Sequence, residues 1–215
     1  MAEPLLRAEQ ITRSFGRRGV LHGVDLAIAP GTLVGVVGEN GAGKSTLLRI
    51  LAGELRPSRG TITRTGSIGY CPQAAILNDT LTVNQHLAYF AAAYGLTDLS
   101  YAEALISSLG YQKYRTTSVG VLSDGTKQKV NLTLSLMHQP DVLLLDEPYQ
   151  GFDWETYLHF WVLAEALRAQ GRAVLVISHL IFDQQRFDTL FRLDGGKLVP
   201  LPIARGVSVN TTEGV

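Results

Sequence analysis

The sequence predicts an α/β fold with a mainly parallel sheet, an N-terminal antiparallel β part and a small helical insert. Three observations predict it. They are a glycine-rich loop set between a strand and a helix at "GENGAGKST", two apolar runs "VLLLD" and "AVLVIS" one helix length apart, and an Ala-rich helical stretch between the loop and the first run. Runs of this kind suit strands buried on both faces, and their alternation with a helix is the βαβ unit of a parallel sheet.

The elements follow in order. Leu26–Ile28, the Pro30-Gly31 turn and Leu33–Val37 read as a hairpin of short strands. A helix from about Gly43 to Ala52 comes after the loop, and "GTITRTGSIGYCPQ" adds two short β-rich runs. From Thr82 to Gly110 the texture becomes helical, with "NQHLAYFAAAYGL" and then "SYAEALISSLG". A third helix is expected to start at Ser123, a good cap, and to end before Pro140. A fourth, Trp154 to Gln170, joins the two buried strands. The expected organisation is a core of residues 1–72 and 141–198, a helical sub-domain of 73–140, and a tail of 199–215. Pro200, Pro202 and the polar residues after them predict a poorly ordered tail.

Composition narrows the function classes. With 215 residues the chain has room for a sizeable core, and 19 Lys and Arg balance 19 Asp and Glu. A net charge of zero supplies no global basic field, so a nucleic-acid partner is not expected and any anion must be held by a local site. The lone Cys71 excludes an internal disulfide framework and fits a reducing compartment. "MAEPLLRAEQ" does not read as a leader, and no apolar run approaches the roughly eighteen residues of a spanning helix. The expectation is a cytoplasmic chain that meets a membrane through a partner.

The loop "GENGAGKST" runs Gly38, Glu39, Asn40, Gly41, Ala42, Gly43, Lys44, Ser45, Thr46 and matches G-x-x-x-x-G-K-[ST] in the strand-loop-helix setting the motif needs. Its glycines let backbone N–H groups wrap a phosphate chain, Lys44 reaches the β- and γ-phosphates, and the Ser45 hydroxyl suits Mg²⁺. "VLLLDEP" closes a buried strand with Asp146 and Glu147. Adjacent carboxylates at the carboxyl edge of a parallel sheet lie where such sheets bind ligands, and alternation sends them in different directions. One can hold Mg²⁺ while the other orients water. Strands often end in acids, but with a phosphate loop the pair reads as a nucleotide-hydrolysis site.

These motifs, in this order, resemble the ATP-binding subunits of ABC transporters across nearly the whole chain. The resemblance implies a P-loop NTPase (RecA-like) fold and several roles by position. Phe15 in "RSFG" matches the aromatic that stacks on adenine. Gln73 in "CPQ" matches the glutamine that senses Mg²⁺ and the membrane partner, so the metal set would be Ser45, Gln73 and Asp146. Leu122, Ser123, Asp124, Gly125 and Thr126 of "LSDGTKQ" look like the family's signature, Gly151-Phe152-Asp153 like its D-loop, and His179 in "ISHL" like its switch histidine. Read from the residues alone, Phe15 also suits a satellite core, Gln73 a polar loop, His179 a helix cap and Asp153 an N-cap. His22, His86, His138 and His159 lack metal-ligand spacing and read as surface residues.

In the family the signature helix faces ATP held by another subunit, so two subunits sandwich two nucleotides. The family usually has two glycines and then glutamine after the serine; here Asp124 and Thr126 replace the first glycine and the glutamine. A carboxylate about 6 Å from a phosphate charge costs roughly 0.7 kcal/mol per unit charge in water and about 3 at an effective dielectric of 20. That penalty is tolerable, the helix dipole favours an acid there, and Lys127 stands three residues on.

The resemblance implies a Mg²⁺-ATP hydrolase in which Lys44, Glu147 and His179 act on the phosphates and water. A second such subunit, identical or different, and a separate transmembrane permease would be its partners. Ile76, Leu77, Leu81, Tyr89, Phe90 and Tyr94 are expected either to receive a permease helix or to form the sub-domain's own core. The short helical segment and the absence of a C-terminal regulatory domain lean towards an exporter type. Soluble ABC-type ATPases of DNA repair or ribosomes are a second class. The first resembles a head split by a long coiled coil, and no heptad run occurs; the second joins two heads, and one phosphate loop is present. No guanine-reading N-K-x-D occurs. A catalytically weak partner in a heterodimer also fits the altered signature, although Glu147 and His179 speak against it.

Overall fold

The computed structural model describes residues 3–74, 76–179 and 183–203. Two sheets carry the fold. The strands β1 (Leu6–Phe15), β2 (Arg18–Ile28) and β4 (Arg59–Arg64) form an antiparallel sheet in the order β2-β1-β4. A six-stranded sheet in the order β5-β6-β7-β3-β8-β9 contains β3 (Leu33–Val37), β5 (Ile68–Cys71), β6 (Val142–Asp146), β7 (Ala173–Ser178), β8 (Thr189–Asp194) and β9 (Lys197–Leu201). All its pairings are parallel except β8 with β9. The predicted α/β class with a mainly parallel sheet and an antiparallel β part therefore holds.

The apolar runs divide their side chains between two cores, as a strand covered on both faces must. Leu143 and Leu145 of β6, with Val174 and Val176 of β7, pack under the helices α4 (Asp124–Leu136) and α5 (Trp154–Ala169). Val142 and Leu144, with Leu175 and Ile177, face α1 (Lys44–Ala52) and the antiparallel sheet. The remaining helices, α2 (Val83–Tyr94) and α3 (Ser100–Ser108), join the first core through Val83, Leu87, Leu105 and Ile106. Thr82 caps α2 in a reciprocal box with Gln85, and Gly95 ends it in the left-handed conformation.

Three expectations are corrected. The run Leu26–Ile28 does not pair with Leu33–Val37: it is the end of β2, in a different sheet from β3. Strand β2 alternates buried and exposed residues, as a one-sided sheet requires, whereas β3 is buried through its first four residues and needs a neighbour on each edge. The tail expected from 199 begins inside β9, which pairs with β8 as far as Leu201; residues 204–215 lie outside the described residues. His86 is not a surface residue. It is buried against the start of α2, where Nε2 accepts from the Asn78 N–H at 3.0 Å and Nδ1 donates to the Thr82 carbonyl at 2.9 Å. His138 is half-buried, its ring stacked on Tyr94 at 4.2 Å, and burial lowers its pKa.

Candidate nucleotide site

The phosphate loop hangs between the carboxyl end of β3 and the first turn of α1. Gly43, which caps α1, has φ +105, and a β-carbon there would meet Val20 at 2.9 Å. A β-carbon on Gly38 would meet the Leu193 carbonyl at 2.7 Å, so both positions require glycine. No side chain caps α1 and no acid stands in its first turn, which leaves its leading N–H groups for an anion. Lys44, 8% exposed, folds back so that Nζ donates to the carbonyls of Gly38 at 2.6 Å and Glu39 at 3.0 Å.

A cavity of about 740 Å³ opens in front of this loop. Of the residues predicted for the site, Phe15, Asn40, Gly41, Gly43, Lys44, Ser45, Thr46, Gln73, Asp146, Glu147 and His179 line it. Gly38, Glu39 and Ala42 line an adjoining cleft of about 710 Å³ that also reaches His179. Phe15, at 47% exposed, is not a core aromatic; Arg13 lies on its ring at 4.6 Å. Arg18 and Gln150 line the cavity too, and Gln150 accepts from the Gln73 amide at 3.3 Å. Neither is singled out by the sequence. Arg18 has the same composition around it as Arg17, while Gln150 was within reach as the third residue after Glu147.

The two acids diverge as expected, but not by strand alternation, since β6 ends at Asp146. Asp146 accepts from the Ser45 hydroxyl, and burial pushes its carboxyl above the usual range, with Ser45 and Lys44 opposing and Glu147 adding to the rise. Glu147 breaks from the strand at φ +48, its N–H bonded to the Ile177 carbonyl at 2.9 Å, and its carboxylate crosses to the end of β7. There the Ser178 hydroxyl donates to Oε2 at 2.7 Å, the His179 N–H donates to Oε1 at 2.6 Å, and His179 Nδ1 lies 3.0 Å from Oε1. The segment after His179 lies outside the described residues, and with it the reading of His179 as a helix cap.

A buried Asp146 whose charge is poorly compensated, with a hydroxyl on it and the Gln73 amide on the same wall, is a hard oxygen-donor set that fits Mg²⁺. No cluster of three or more His, Cys, Asp or Glu suited to a metal exists among the described residues. Phosphate and water would complete the coordination.

Leu122, Ser123, Asp124, Gly125, Thr126 and Asp153 do not line the cavity. Ser123 caps α4, its Oγ accepting from the Thr126 N–H at 3.4 Å and lying 3.0 Å from the Thr126 hydroxyl. Lys127 pairs with Asp79 at 3.7 Å. Asp153 caps α5, accepting from the Thr156 N–H at 2.8 Å, a bond that holds its carboxyl below the usual range. The N-cap reading of Asp153 is thus met.

The sequence profile described as "ABC transporter" matches residues 21–150, more than half of the chain. The chain belongs to the ABC transporter ATP-binding family. It is similar to the probable multidrug ABC transporter ATP-binding protein YbhF of Escherichia coli, 31% identical over 212 residues that cover 92% of this chain and 37% of that protein. It is also similar to the zinc import ATP-binding protein ZnuC of Pseudomonas entomophila, 36% identical over 182 residues, 83% of this chain and 70% of ZnuC. The chain therefore spans little more than a third of the first relative's length. A solved structure titled "Structure of ATP binding subunit of ABC transporter" superposes with a TM-score of 0.84 at 26% identity, covering 90% of this chain and 88% of that one. The P-loop NTPase fold of ABC ATPases is thereby shown.

A second cavity of this ABC domain, about 360 Å³, lies on the helical side and is lined by Ile76, Leu77, Phe90 and Tyr94 together with Tyr70 and Leu134. Ile76 is 80% and Tyr89 67% exposed, which removes both from the sub-domain's own core. Leu81 is half-buried and does not line the groove. No helix among the described residues is long and apolar enough to cross a membrane.

Proposed function

We propose that this chain is a Mg²⁺-dependent ATPase that closes on ATP as a two-subunit sandwich and drives a separate transmembrane subunit. One observation carries the reading. Lys44, Ser45, Asp146, Glu147 and His179 share a cavity, while Ser123, which caps the start of α4, does not line it. A phosphate site and a capped helix start set apart from it in one chain suit complementary halves of two copies.

Adenine would stack on Phe15, and Lys44 would exchange the Gly38 and Glu39 carbonyls for β- and γ-phosphate oxygens, with loop N–H groups sharing the developing charge. Asp146, Ser45 and Gln73 would hold Mg²⁺, which when bound neutralises charge on the phosphates. Glu147 would orient the attacking water, with His179 bridging its carboxylate and the γ-phosphate. The Ser123 turn and Asp153 would complete the facing copy's site.

The apolar groove at Ile76, Leu77, Phe90 and Tyr94 suits an amphipathic segment of the transmembrane partner, which would hold the chain at the cytoplasmic face. Residues 73–140 act here as the coupling sub-domain. Export is part of the proposal and rests on the shortness of that segment, since the named relatives include both a multidrug and a zinc import protein. The balanced charge favours this motor role over a nucleic-acid one.

Light scattering on the Glu147→Gln protein, with and without Mg²⁺-ATP, tests the sandwich. An ATP-dependent dimer is expected. A persistent monomer that still binds ATP would overturn pairing between identical copies and leave a different chain to supply the second half.

A further inference from the structure

Among the described residues other than glycine, only Gln10, Gln139 and Glu147 have positive φ. A backbone in that region turns the Glu147 side chain away from the line of β6, so partners outside its own strand must fix where the carboxylate points. Those partners sit at the carboxyl end of β7 and just beyond it. Ser178, its last residue, is wholly buried and donates to Oε2 at 2.7 Å. A serine hydroxyl has one proton, and here Glu147 receives it. The Tyr149 side chain interacts with that of Ser178.

Tyr149 is itself fixed. Its ring meets Tyr157 edge-on at 5.3 Å, Phe160 at 5.6 Å and Trp161 at 5.9 Å, all on α5. Burial pushes its hydroxyl up to about 12, so it stays protonated at neutral pH. A chain of contacts runs from the aromatic face of α5 through Tyr149 and Ser178 to one oxygen of Glu147, while His179 takes the other oxygen.

We propose that Ser178 and Tyr149 are positioning residues of the hydrolytic site, aiming the Glu147 carboxylate through a two-hydroxyl relay. Ser178 acts on Glu147 directly; Tyr149 acts through Ser178. The proposal rests on the ATPase reading above and predicts an order of dependence that packing alone does not.

The test is steady-state ATP turnover and equilibrium ATP binding on the full chain, with thermal melting as the check on folding. Ser178→Ala is expected to lower kcat about tenfold or more with ATP affinity within twofold of wild type. Tyr149→Phe is expected to lower kcat less, and to have no further effect in the Ser178→Ala background. Ser178→Thr, which keeps the hydroxyl, should restore turnover that its near-isostere Ser178→Val lacks; this pair remains decisive if the alanine variant melts early.

Unchanged kcat in Ser178→Ala, additive losses in the double variant, or equal turnover of the Thr and Val variants would each overturn the relay. A wild-type chain that turns over no ATP, or an undiminished Glu147→Gln variant, overturns the relay together with the ATPase reading. Loss in Glu147→Gln with full activity in Ser178→Ala overturns the relay alone.

Discussion

Gly125, in the first turn of α4, lies with its Cα against the backbone of Gly151, so that a β-carbon at 125 would overlap the Gly151 carbonyl oxygen. Gly151 is itself at φ +78, and a β-carbon there would meet the Gly125 N and Cα at 3.3 Å. Backbone cannot give way as a long side chain does. Gly125→Ala is therefore expected to displace the 151–153 loop, costing about 1–3 kcal/mol of stability. Denaturant midpoints should show that loss, and ATP turnover should fall at least tenfold because Ser123 and Asp153 can no longer hold their positions together.

The altered residue beside that contact gives a milder prediction. Asp124 is exposed on the first turn of α4, and Lys127, three residues on, is drawn to Asp79. Its carboxylate suits the helix start but would face the phosphates of a second copy's ATP. Asp124→Gly is expected to tighten ATP-dependent pairing of the Glu147→Gln protein threefold or more, by the lower, water-like end of the Coulomb estimate of about 0.7 kcal/mol. Sedimentation equilibrium across a concentration series reads it, and unchanged pairing with unchanged turnover would sink the idea.

Arg13 holds the ring that is expected to stack on adenine. Its guanidinium lies 4.6 Å from the Phe15 centroid and is anchored by a 3.0 Å bond to the Arg56 carbonyl. Removing it in Arg13→Ala should weaken nucleotide binding about two- to fivefold, the size of an exposed cation–π contact of roughly 0.5–1 kcal/mol. Phe15→Ala should cost more and Phe15→Tyr little, in titrations with a fluorescent ATP analogue.

Acid should loosen the start of β6. Asp141 Oδ2 accepts from the Ser67 N–H at 2.7 Å and from its hydroxyl at 2.8 Å, and the N–H bond above all holds this carboxyl below the usual range. With the folded value the lower one, the stabilisation is complete above the unfolded pKa of about 3.9 and is lost as pH falls through the folded one. Thermal midpoints of wild type and Asp141→Asn should differ at pH 7 and begin to converge only as the pH falls below about 4.

Much of the site is legible in the sequence because its motifs bring their own local geometry. Gly38 to Thr46 needs a strand before it and a helix after it, and Ser123 caps the helix it was expected to cap. The strands at "VLLLD" and "AVLVIS" are legible because burial on both faces leaves an unbroken apolar run. The first 30 residues are harder. In β1 and β2 exposed Arg, Gln and His alternate with the core positions, and the Pro30-Gly31 turn imitates a hairpin where the chain in fact changes sheets. Strands β8 and β9 had a readable signal, the Gly195-Gly196 dipeptide between alternating runs. The hydroxyl relay had none, since Tyr149 and Ser178 are 29 positions apart and meet only because β6 and β7 are neighbours.

The placement of β3 has a consequence for how the protein is made. The strand that ends in the phosphate loop pairs on one edge with β7 and on the other with β8, so residues 33–37 find their hydrogen-bonding neighbours among residues 174–192. During synthesis, at roughly 5–20 residues per second, the loop's supporting strand must wait many seconds with both edges open until residues 174–192 emerge. The loop's supporting strand gains its neighbours only once residues 174–192 have emerged, and a ribosome stalled before residue 174 would present an unpaired apolar strand to every neighbour in the cell.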